Sequence, residues 1–87
     1  MTAVVPSLRV DVLGARAFGV SRSYFAKGIA AGSVSVAGKR AGHAATLAVG
    51  DEVQARALGA FKLVSVDGTT RRGNHKVSLS VQLDLKQ

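Results

Sequence analysis

The chain of 87 residues has no cysteine, no tryptophan, a single proline and one tyrosine, and its only other aromatics are three phenylalanines. Without cysteine there is no disulfide, no thiolate metal site and no cysteine nucleophile. Such a chain suits a reducing compartment, and a cytoplasmic location is expected. With so few aromatics, the core must rely on small and β-branched side chains. No apolar run approaches the roughly 20 residues of a membrane-spanning helix, so no membrane partner is expected. Acidic residues are scarce as well, five Asp and Glu against twelve Lys and Arg. Asp11, Asp51, Glu52, Asp67 and Asp84 form no recognisable acid–base pair. His43 and His75 have no acidic or cysteine neighbours at ligand spacing, which excludes a metal site. Gly14 and Gly19 lack the Walker spacing and its Gly-Lys-Ser/Thr ending. The sequence therefore offers no residues for catalysis and none for a cofactor, and the expectation is a binding protein rather than an enzyme.

What is present points to one folded, basic domain. An apolar content of 47% excludes a disordered tail, and the length allows a single domain with a thin core. The formal charge of +7 predicts an anionic partner. That charge is uneven: net +5 over residues 8–40, −1 over 41–58 and +3 over 59–87.

Pattern and turn residues outline the elements. Residues 1–7 read as an extended lead-in, and 8–87 as one domain with a C-terminal hairpin extension. Ser7 is a plausible cap for a first helix over about 8–18, in which Val10, Leu13 and Ala17 form an apolar stripe. Asp11 suits the first turn of that helix, where its charge meets the positive end of the dipole. Gly14 weakens the helix by about 1 kcal/mol relative to alanine and marks close packing against a neighbour. Ser21 caps a second helix over about 22–31, anchored by Phe25 and Ile29 and ended by Gly32. After Gly32 the period changes to two, with Val34 and Val36 alternating with serines. A turn at 37–40 and strands over about 52–58, 61–66 and 76–83 follow, and a polar loop precedes the last. The expected fold class is α+β: a helix–turn–helix-like pair packed on a small, mostly antiparallel sheet of about five short strands.

A helix N-terminus collects unpaired N–H groups and partial positive charge, which makes it a seat for phosphate. Ser21, Arg22 and Ser23 surround such a seat, and Lys27 follows one turn later. Arg9 and Arg16, seven apart, are expected to share an edge of the first helix, and Gly38, Lys39 and Arg40 form a basic turn. These nine residues are the predicted nucleic-acid-binding set, on one continuous basic face. Tyr24, Arg71, Arg72 and Lys76 are secondary contacts, with Arg71 and Arg72 at the margin of the face or off it.

The residues from Leu8 to Val53 resemble the αL-type RNA-binding domain named after ribosomal small-subunit protein four. The resemblance rests on Arg9-Val10-Asp11, Ser21-Arg22, Gly32, Val34, Val36, Gly38 and Gly50-Asp51. The later stretches Gly59-Ala60-Phe61-Lys62-Leu63 and Gly68-Thr69-Thr70-Arg71-Arg72-Gly73 look like the C-terminal module of bacterial YlmH-like proteins. Ala37 stands where that family usually has asparagine, Gly28 where leucine is usual, and Ala57 and Ala60 where basic residues are common. The resemblance implies a monomer that recognises structured RNA, ribosomal RNA of the large subunit and also tRNA on the ribosome, in translation or ribosome-associated quality control. The alternative reading is a targeting or protein-interaction module attached to an RNA-modifying enzyme.

Overall fold

Two nine-residue helices begin the helical layer of the computed structural model, which describes residues 1–42 and 44–84. The first, α1 (Val10–Phe18), buries the expected stripe of Val10, Leu13 and Ala17. Its cap differs from expectation. The N-cap residue is Arg9, with no side-chain cap, and the Val10 N–H donates instead to the Ala45 carbonyl at 2.9 Å. A passing loop thus does what Ser7 was expected to do, and the Ser7 hydroxyl accepts only a long contact from the Arg9 N–H. Gly19 ends α1 in the left-handed conformation (φ 69°), the usual solution where a Cβ would be strained.

The second helix, α2 (Arg22–Ala30), starts on Ser21, whose hydroxyl accepts the Tyr24 N–H at 3.0 Å. Phe25 and Ile29 are almost completely buried. A Cβ on Gly14 would collide with the Phe25 ring, so glycine there is what lets the helices approach. Phe18 stacks on Phe25 with centroids 6.0 Å apart and meets Phe61 edge-on at 5.6 Å. Three phenylalanines therefore join the helix pair to the sheet.

Six strands, one more than expected, form a single sheet: β1 (Thr2–Val5), β2 (Val34–Val36), β3 (Lys39–Arg40), β4 (Glu52–Ala55), β5 (Gly59–Thr69) and β6 (His75–Leu83). Their order is β1-β6-β5-β4-β2-β3, and every pairing is antiparallel. The extra strand is the predicted lead-in. Ala3 and Val5 are buried in the core, and β1 pairs with β6 from Thr2↔Ser78 to Val5↔His75. Residues 1–7 are thus an edge of the sheet. The basic turn is tighter than expected too: Ala37 and Gly38 alone make the bend, and Lys39-Arg40 already form the returning strand. The β5–β6 ladder is the longest and is interrupted by register shifts at Leu63/Ser65 and Val66/Gly68.

Candidate nucleic-acid interface

The site is organised by a carboxylate. Asp11, in the first turn of α1, is 6% exposed and is the one charged side chain buried among the described residues. Its Oδ1 accepts the Val12 N–H at 2.9 Å. The Arg9 guanidinium meets it side-on, Nε 3.2 Å from Oδ1 and Nη2 3.2 Å from Oδ2. Arg22, the first residue of α2, reaches the same Oδ2 with Nη2 at 3.4 Å. About half of each arginine side chain stays in solvent (42% for Arg9, 56% for Arg22). One buried negative charge thus holds two partly exposed positive ones, and the planar fork of arginine makes that hold directional. The excess of one positive charge lies beside the start of α2, where Ser21, Arg22 and Ser23 are all exposed.

The other predicted contacts fall into separate groups. Arg16 does not stay with Arg9. It lines a shallow concavity with Thr2, Val4, Asp67 and Lys76, where α1 meets the β1–β6 edge. Asp67 accepts the Ser65 hydroxyl and the Ser78 hydroxyl, each at 2.7 Å, and these two bonds hold its carboxyl below the usual carboxylate range. Its carboxylate lines the same concavity as Arg16 and Lys76. Lys27 is five residues after Arg22, so its side chain is turned by about 140° around α2. It borders a hollow shared with Tyr24 and Arg56.

Arg40 has a structural task. Its Nη2 donates to the Ala30 carbonyl at 2.9 Å, and its guanidinium lies over Gly32, where a Cβ would come within 3.3 Å. This places a cation on the negative end of α2, opposite the Ser21–Arg22 end. Lys39 is exposed on β3 beside the Ala37-Gly38 turn. Arg71 and Arg72 are exposed at the tip of the β5–β6 hairpin, which is closed by Thr70 and Asn74. The predicted contacts thus lie at the helix start, the α2 hollow, the α2 end, the Arg16–Lys76 edge and the hairpin tip.

Two residues escaped the sequence reading. From the sequence Asp11 reads as a helix-dipole residue, although the Arg-x-Asp spacing already puts a cation within its reach. Arg56 follows the buried alternation of Val53 and Ala55 and so had to point outward, at the turn where Ala57 adopts φ 68°. No group of three or more His, Cys, Asp or Glu able to hold a metal occurs among the described residues, and His43 lies outside them. No helix of the described residues is long and apolar enough to cross a membrane. No protein-family model matches this chain, and no curated protein matches it.

Proposed function

We propose that this protein binds structured RNA, with ribosomal RNA of the large subunit as the target, through the start of its helix pair. The observation that carries the reading is the clamp of Arg9 and Arg22 on buried Asp11, next to the capped N-terminus of α2. Phosphate oxygens would be met there by arginine forks, serine hydroxyls and first-turn N–H groups already in place. The net charge of +7 supplies the long-range attraction. The resemblance to the αL-type domain agrees in the order of its motifs and adds a setting in translation or ribosome-associated quality control.

The test is a salt titration of binding to ribosomal RNA fragments. With about five phosphates neutralised, log K against log salt should slope at roughly −3 to −5. Arg22→Ala should weaken binding about tenfold while leaving the thermal midpoint nearly unchanged. A flat salt response would remove the phosphate contacts from the reading, and an Arg22→Ala variant that unfolds would make Arg22 a structural arginine alone.

A further inference from the structure

A hollow lies beside α2, over the core residues Phe25, Val34 and Ala55. It encloses about 290 Å³ between the helix and the β4–β5 turn, bordered by Tyr24, Lys27, Gly28, Val34, Arg56 and Leu58. Gly28 is what opens it. A Cβ at Gly28 would meet only the Val34 Cγ2, at 3.7 Å, an ordinary contact. Glycine is a poor helix former and nothing in the packing requires it here, in contrast to Gly14. An alanine would fit there and favour the helix, so the packing around a Cβ does not account for the glycine. Tyr24 stands at its rim, 58% exposed, and it is the only tyrosine of the chain.

We propose that this hollow receives an unpaired nucleobase of the bound RNA, stacked on Tyr24, with Lys27 and Arg56 against the flanking phosphates. The proposal rests on the RNA-binding reading and names what that RNA must offer. The volume sits at the lower end of small-molecule pockets, about 300 Å³, which suits one planar base rather than a peptide helix. Leu58 and Val34 provide apolar contact for a ring, Tyr24 provides a stacking face, and two cations at the rim match the charge on either side of a nucleotide. The hollow also lies about one helical turn beyond Ser21 and Arg22.

Two RNA hairpins that differ only by one bulged adenosine test this. The native protein should bind the bulged hairpin about tenfold more tightly than the paired one. An abasic site at the bulge should remove that preference. Gly28→Leu, which fills the hollow, should raise the thermal midpoint and reduce the preference to less than about twofold. Tyr24→Ala, at an exposed position, should reduce it as well and does not depend on how leucine packs. Adenosine monophosphate alone should shift the Tyr24 ring protons, which are the sole tyrosine signals. Salt-dependent binding without preference between the hairpins overturns the base pocket and leaves the RNA reading standing. Binding to neither hairpin, nor to ribosomal RNA fragments, overturns both.

Discussion

The start of the helix pair and the tip of the β5–β6 hairpin each present two arginines to solvent, and they present them differently. Arg9 and Arg22 share a buried carboxylate and sit against helices fixed by Phe25 and Ile29. Arg71 and Arg72 occupy a turn whose hydrogen bonds are all made by Thr70, Gly73 and Asn74, and no ion pair of the described residues includes either arginine. The charge count is the same apart from Asp11, yet the conformational freedom left to lose on binding is much smaller at the helix start. Long side chains lose up to about 2 kcal/mol of rotamer entropy when ordered, so prior anchoring favours the helix start as the tighter phosphate site. Net charge alone would rank the two the other way.

The largest expected effect comes from breaking the frame under the anchored pair. Gly14→Leu would force a side chain into Phe25, push the helices apart and cost about 3 kcal/mol, the upper end for overpacking. Urea unfolding measures the loss, and a variant of native stability would mean that the helices do not depend on this contact. Next is Asp11→Asn, which keeps the shape and removes the charge. Because both arginines are half in solvent, the stability loss should be only about 1–2 kcal/mol. Affinity for RNA should nevertheless fall several-fold, although the protein has become more positive. A rise in affinity would show that charge count outweighs positioning, and the contrast with the hairpin tip would collapse.

Smaller effects belong to the tip. Arg71→Glu together with Arg72→Glu should change unfolding free energy by less than about 0.5 kcal/mol. Its RNA affinity should drop about threefold at low salt, and the difference should fade as screening shortens the reach of exposed charges. Smallest of all is the pH effect of Asp67. Its carboxyl titrates below its ordinary value of 3.8 because two serine hydroxyls donate to the charged form. A depressed folded pKa gives stability that is present above the unfolded value and is lost as pH falls through the folded one. Native protein and Asp67→Asn should therefore lose stability in parallel down to about pH 4, and only below it should the native protein lose the more steeply.

Helix existence, the Ser21 cap and the Phe25–Ile29 anchor were legible because each depends on residues within one or two turns of each other. The cap of α1 was not, since its acceptor is the carbonyl of Ala45, supplied by a distant loop. The seven-residue spacing of Arg9 and Arg16 suggests a shared helix face but says nothing of what stands beside each arginine. Asp11 binds both Arg9 and Arg22, while Arg16 lines a concavity with Asp67 and Lys76. The role of Arg40 was hidden for a similar reason, because its partner, the end of α2, is reached only once the β2–β3 hairpin folds back. Ala37 explains itself only in the structure: at φ 51° it holds a left-handed position that asparagine or glycine takes at lower cost.

The pairing of β1 with β6 sets an order of events in synthesis and folding. Residues 2–5 leave the ribosome some seventy residues before their partners at 75–78. Until those partners emerge, Val5 has no strand to lie beside and the Thr2–Val5 edge has no ladder. Closing so long a loop is slow compared with forming the helix pair, whose contacts are local. The helix pair and the early strands should thus form while the sheet is still incomplete, and β1 should lock onto β6 as the final step of this fold. Protease sensitivity at Val4 and Val5 in a nascent chain truncated before His75, lost once residue 83 is included, would report that closing step directly.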